Sequence, residues 1–302
     1  MDEMRSKMKK VLVTGAAGYI GVSVVRALLD LGCSVVATDI RTERIDRGAT
    51  VCPSDIFSEK DPYHTFGEPD ALIHLAWRDG FVHNSLCHFE DLAKHYTFLQ
   101  KMVEGGTKNI SVMGSMHEIG FFEGAIAKDT PQNPGSLYGI SKNALRQSME
   151  TLQKSKGFSL KWLRGYYVYG DDRYNNSVFS KILQKADEGA KEFPFTAGTN
   201  RYDFISVEDL GLQIALASLQ TEVEGIINCC TGRPQALKDV AEDFIKRMQL
   251  DIRLQYGVFP DRPYDSKIVY GDNAEIKTVI QTYLKQNEAA ADRVKALLTR
   301  MA

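Results

Sequence analysis

The chain has 302 residues, enough for one large domain or two modest ones with a substantial buried core. Its formal net charge is −2 with no long run of one sign, which argues against nucleic acid or an anionic membrane surface as a partner. Five cysteines, odd in number and without CxxC or Cys/His ligand spacing, read as reduced thiols of a cytoplasmic protein. Residues 1–10 are polar and basic, but the apolar run that follows is too short for a signal peptide, and no stretch approaches the ~20 apolar residues of a membrane span.

Through the first half, short apolar runs alternate with longer segments of helical period. Strands are expected at 11–14, 34–38, 71–75, 109–113 and 160–167, and helices at 19–31, 89–103 and 137–153. In the first helix Ile20, Val24, Leu28 and Leu31 recur on one face, and Gly32 stands where a C-terminal stop belongs. Strands alternating with helices predict parallel pairing through crossovers, with helices on both faces of the sheet. After Gly170 the pattern loosens into polar loops and shorter apolar runs such as 225–229, punctuated by Pro194, Pro234, Pro260 and Pro263. The expected architecture is α/β: a Rossmann-type doubly wound parallel sheet over 1–170, a segment near 203–230 returning to it, and a smaller C-terminal substrate-binding lobe over most of 171–302.

Two local signatures carry the chemistry. The turn TGAAGYIG, Thr14 to Gly21, follows a strand and opens an amphipathic helix. Gly15 and Gly18 permit a tight turn and close approach to a pyrophosphate, and the helix start at Tyr19 and Ile20 offers free N–H groups at a positive dipole end. Asp39 ends the next strand, where a carboxylate accepts from the adenosine ribose hydroxyls and repels a 2′-phosphate. NAD is therefore the expected cofactor, with NADP the alternative because Arg41 and Arg44 are close in sequence. The second signature is YGISK, which puts Tyr138 and Lys142 on one helical face. A nearby ammonium favours the phenolate and makes Tyr138 a usable general acid/base. Ser115 ends the preceding apolar strand, where its hydroxyl meets the substrate oxygen.

These segments resemble the extended short-chain dehydrogenase/reductases, the NAD-dependent epimerase/dehydratase family acting on nucleotide sugars. TGAAGYIG resembles that family's TGxxGxxG and PDALIHLAW its xDxVIHLAA strand; MGSMHEIG resembles SSxxVYG, with Ser115 at the catalytic serine. LRGYYVYG resembles LRxxNVYGP, DFISVEDL resembles DFIHVDDL, and RPYDSKIVYGD resembles RPGDxxxxxAD. The resemblance implies a cofactor site that also takes in Asp55 and Ile56 of PSDIF, and Leu75 and Ala76 of the HLA strand. It implies that Lys142 also bonds the cofactor's ribose. It implies substrate contacts from Ser115, Met116, His117, Tyr167, Arg201 and Arg262, and a homodimer formed through the helices near 89–103 and 137–153.

The departures sharpen the expectation. Met116-His117 stands where sugar 4,6-dehydratases carry Asp-Glu, with Glu118 one place out of register, which argues against a dehydratase. Tyr167 replaces the asparagine of NVYGP, nearer to some 4-keto-sugar reductases. Tyr202 replaces the arginine before DFI, with Arg201 one residue earlier on what is expected to be the opposite strand face. The chemistry implied is net reduction of a 4-keto sugar; the alternatives are a UDP-hexose 4-epimerase-like activity and, from another class, a noncatalytic dinucleotide sensor. His74, His83, His88 and His95 invite a metal reading, but their spacing fits no ligand motif, and no metal is expected.

Overall fold

A computed structural model describes residues 9–260, 265–287 and 292–301. In chain order the first half runs β1 (Lys10–Thr14), α1 (Tyr19–Asp30), β2 (Ser34–Thr38), β3 (Thr50–Val51), α2 (Pro62–Thr65), β4 (Ala71–His74), α3 (Cys87–Glu90), α4 (Leu92–Gly105), β5 (Asn109–Ser115), β6 (Gly124–Ile126), α5 (Leu137–Lys156) and β7 (Ser159–Gly165). The second half runs β8 (Tyr167–Tyr169), α6 (Val178–Asp187), β9 (Glu192–Pro194), β10 (Arg201–Ser206), α7 (Val207–Leu219), β11 (Gly225–Cys229), β12 (Pro234–Ala236), α8 (Leu237–Arg247), β13 (Arg253–Gln255), β14 (Ile268–Gly271), α9 (Ala274–Gln286) and α10 (Asp292–Arg300).

Seven parallel strands form the main sheet in the order β11-β7-β5-β4-β1-β2-β3. Burial on both faces is what makes these strands read as nearly continuous apolar runs. Val11, Val13, Val35 and Ile73 pack on one side with residues of α1, α7, α9 and α10. Leu12, Leu72, Ile110 and Val112 pack on the other with Phe66, Leu99 and Met149 of the opposite helical layer. The chain reverses winding direction between β1 and β4, and in such sheets the crevice at the carboxyl ends of those strands is where a ligand lies.

A second sheet, ordered β12-β10-β14-β6 with β8 on β10, carries a third apolar cluster that includes Tyr166, Phe179, Phe204 and Phe244. The apolar run expected as one strand over 160–167 is divided. β7 ends at Gly165, and Tyr167 pairs with Phe204 of β10. The helix expected over 89–103 is also two pieces that meet at Asp91, whose buried carboxylate takes Arg78 and Lys94. The segment 225–229 enters the large sheet as its edge strand β11. No helix among the described residues is long and apolar enough to cross a membrane.

Candidate active site

The glycine turn is shaped for close backbone approach. Gly15 has φ +69°, and a Cβ there would lie 2.6 Å from the Ala76 nitrogen. The turn is thus pressed against Leu75 and Ala76, whose N–H groups donate to Thr14 O at 3.1 Å and Thr14 Oγ1 at 3.4 Å. Gly18 is the extended N-cap of α1, and no side chain caps that helix, which leaves its first turn, Tyr19 and Ile20, open to an anion. The Asp39 carboxylate accepts from Ala17 N–H at 3.1 Å and Ile40 N–H at 2.8 Å, which fixes it beside the turn. These residues fit a dinucleotide: an uncapped helix start for the pyrophosphate and a fixed carboxylate for a ribose diol. Arg44 pairs instead with the buried Asp172 at 3.3 Å. Asp55 is exposed and accepts from Phe57 N–H within its own turn, while Ile56 is buried in the core beside Leu72 and Phe98.

Ser115 is the last residue of β5, and Tyr138 lies in the first turn of α5. That turn is anchored by the Ser136 side chain, which accepts from Gly139 N–H at 3.2 Å, and by Tyr138 N–H donating to His83 O at 2.9 Å. Burial pushes the Tyr138 phenol up to about 12, opposed by the Ser115 hydroxyl. Lys142, one turn along, is buried; its Nζ donates to Met113 O at 2.7 Å and lies 3.8 Å from the centre of the Trp77 ring. Burial pushes its ammonium down to about 7, opposed by the Glu118 charge. Serine, phenol and ammonium can therefore pass a proton to or from an oxygen held at the end of β5.

The histidines noted in the sequence surround this group as hydrogen-bonded aromatic walls. Thr14 Oγ1 meets His74 Nδ1 at 2.8 Å, and His74 Nε2 meets His95 Nδ1 at 2.9 Å. Trp77 stacks on His95 with ring centres 4.4 Å apart and donates its N–H to His88 Nδ1 at 3.1 Å. His83 stacks on Tyr138 at 5.5 Å and meets His117 at 4.3 Å. Burial holds His74 well below the usual imidazole range, His95 at about 3 and His117 at about 4. Those three rings are therefore neutral at physiological pH.

Of the expected substrate residues, His117 stands beside Tyr138 at a ring distance of 6.0 Å, and Met116 is buried among Ile119, Tyr166 and Phe179. Tyr167 stacks on Tyr202. Arg201 is exposed on the opposite face of β10 from the buried Tyr202 and donates to Pro234 O at 3.0 Å. Arg262 lies outside the described residues. Sequence reasoning missed Trp77, whose only signal was an indole in place of the final alanine of HLAA, and the use made of Glu118.

A parallel seven-stranded sheet with a glycine turn at its switch point and a Ser/Tyr/Lys group at the end of β5 defines an extended short-chain dehydrogenase/reductase. Residues 11–230 match the model of the "NAD dependent epimerase/dehydratase family", and the chain belongs to that family. It is 44% identical over 267 residues to a protein of Aggregatibacter actinomycetemcomitans named dTDP-6-deoxy-L-talose 4-dehydrogenase (NAD(+)), covering 86% of this chain and 98% of that protein. A Lactobacillus helveticus UDP-glucose 4-epimerase is 26% identical over 303 residues, covering 90% of this chain and 91% of that one. Among solved structures, the UDP-N-acetylglucosamine 4-epimerase of Methanobrevibacter ruminantium M1 superposes with a TM-score of 0.79 at 20% identity, covering 90% of this chain and 92% of that chain, a likeness of fold.

Proposed function

We propose that this chain is an NAD-dependent oxidoreductase that interconverts the 4-hydroxyl and 4-keto forms of a nucleotide-diphosphate 6-deoxyhexose, with dTDP-6-deoxy-L-talose as the hydroxyl form. The observation that carries this reading is the placement of Ser115 at the end of β5 with Tyr138 and Lys142 one helical turn apart on α5, in a chain 44% identical to a dehydrogenase of that name over nearly its whole length. Reduction of the 4-keto sugar and oxidation of the talose are the two directions of one couple.

Gly15, Gly18, Tyr19, Ile20, Leu75 and Ala76 would hold the dinucleotide, with Asp39 at its ribose diol. Bound NAD supplies the hydride acceptor at the sugar's carbon 4. Tyr138 takes the proton from the 4-hydroxyl oxygen, and Ser115 holds that oxygen by hydrogen bonding. The Lys142 ammonium lowers the cost of the phenolate. Trp77, His83 and His117 line the approach with neutral rings, so Lys142 is the cation beside the reacting oxygen. Most of 171–302 supplies the sugar-side lobe. The free cysteines support a cytoplasmic setting. The exposed Phe89 and Ile140 on α3 and α5 support pairing of two copies through that face, which sedimentation would test.

The test is to incubate the purified chain with NAD and dTDP-6-deoxy-L-talose. NADH and the 4-keto sugar should accumulate together. The epimerase reading rests on the 26% identical UDP-glucose 4-epimerase. Interconversion of UDP-glucose and UDP-galactose without net NADH, on NAD that stays bound through purification, would replace the dehydrogenase reading with that one.

A further inference from the structure

Glu118 ends the short 3-10 turn Met116–Glu118 that follows β5, and its side chain is fully buried. Ser115 N–H donates to Glu118 Oε1 at 2.6 Å, and the Trp162 indole N–H reaches both carboxylate oxygens at 2.9 Å. Arg164 Nη2, also buried, lies 3.8 Å from Oε2. In return Ser115 Oγ accepts from His117 N–H at 3.3 Å, which closes a capping box around the residue that holds the substrate oxygen. Gly114 completes the fit: a Cβ there would stand 2.2 Å from Trp162 Nε1 and 2.7 Å from Glu118 Oε1. Only glycine lets the strand end pass this close to the carboxylate.

We propose that Glu118 is a positioning residue of the reaction: it holds the Ser115 backbone in place and stands as an anion behind the Tyr138–Lys142 pair, setting the pH at which that pair releases its proton. This rests on the catalytic reading above. Burial raises the carboxyl's own pKa, and the opposing charge of Arg164 with the Ser115 and Trp162 donors keeps the anion in reach. Among the described residues, the other titratable groups packed around the pair are histidines. His74, His83, His95 and His117 are held below the usual imidazole range by burial. His88 accepts from Trp77 at Nδ1 and faces Val82 O through Nε2 at 3.0 Å. Arg164 acts on the pair through Glu118, its ion-pair partner. The Glu118 charge acts on both members of the pair, raising the pKa of each.

Removing an anion eases proton loss from every neighbouring group, so the sign of the effect does not depend on whether Tyr138 or Lys142 loses the first proton. NAD-dependent oxidation of dTDP-6-deoxy-L-talose needs the pair singly deprotonated, so its rate rises with pH through that first step. In Glu118→Gln the rising limb should move to lower pH by ~1 unit, and kcat should fall about tenfold with KM changed by less than about twofold. Glu118→Asp keeps the charge and should leave the limb in place while lowering kcat. A Glu118→Gln limb coincident with wild type, or an equal shift in Glu118→Asp, overturns the proposal.

Should Glu118→Gln fail to fold, or the sugar prove the wrong one, 13C NMR of glutamate-labelled wild-type protein decides the matter, with the Glu118 signal identified by its absence from Glu118→Asp. The δ-carboxyl should be ionised at neutral pH and above; a carboxyl still protonated there overturns the proposal. A Tyr138→Phe variant with wild-type turnover would instead remove the catalytic reading, a result distinct from either of these.

Discussion

Tyr167 and Tyr202 stack face to face, ring centres 4.3 Å apart and planes 14° from parallel. They are the two positions at which the chain replaces the family pattern's asparagine and arginine, and β8 lies beside β10 with Tyr167 opposite Phe204. The two departures are thus one structural change: a pair of polar side chains has become a single aromatic slab, with Phe204 tilted against Tyr167 at 5.6 Å. Asn200 donates to the Tyr202 hydroxyl at 3.1 Å and fixes the outer ring. If the slab forms one wall of the sugar site, Tyr167→Ala and Tyr202→Ala should each raise KM for the nucleotide sugar more than they lower kcat. A double-mutant cycle on thermal stability should give a coupling of ~0.5–1.5 kcal/mol. Independent, additive effects would separate the two residues.

Tyr138→Phe should cut turnover by at least ~100-fold while leaving NADH binding within about twofold, because the ring is kept and only the proton carrier is lost. Ser115→Ala should lower kcat in the same direction and remove the hydroxyl that opposes the burial-raised phenol. Steady-state kinetics alongside fluorescence titration of NADH separates the chemical loss from a binding loss.

Lys142 makes stability depend on pH in an unusual sense. Its folded-state pKa is depressed to about 7 from the 10.5 of an exposed lysine. Between those values the unfolded chain binds more protons than the folded one, so stability rises with pH across that window. The burial penalty is fully felt below about 7. Lys142→Met should therefore raise the melting temperature most near and below neutrality, with the advantage over wild type shrinking towards pH 10, and should abolish turnover. Melting curves of both proteins between pH 6 and 10 check this; a gap that widens with pH would contradict it.

At Gly15 a left-handed φ and a backbone contact coincide. Gly15→Ala would carry both the conformational cost and a Cβ 2.6 Å from the Ala76 nitrogen. The expected outcome is a stability loss of ~1–3 kcal/mol and NAD binding weakened by tenfold or more, since the turn must shift away from β4. Calorimetric titration with NAD and a denaturant melt would show both.

Much of this was legible in local sequence. β2 and β11 fall on the expected boundaries, and α1 and α5 start at the expected residues 19 and 137. The run 160–167 was not legible as two strands, because alternation and β-branching do not encode which sheet a strand joins. The chain leaves β7 at Gly165, and Tyr167 pairs instead with β10, about forty residues on. The break at Asp91 was hidden likewise, since its partner Arg78 belongs to the preceding loop.

The sequence alone determined the cofactor turn, the Tyr138–Lys142 spacing and the strand-end Ser115, because each is a short-range pattern imposed by backbone geometry or one helical turn. Tertiary structure alone decided what Glu118 meets. In the sequence it is an acid one place out of register. In the fold it meets Trp162 and Arg164, contributed by the neighbouring strand β7, and lies fully buried. A buried charge takes its role from the groups that surround it, and those come from strands whose pairing no local spacing specifies.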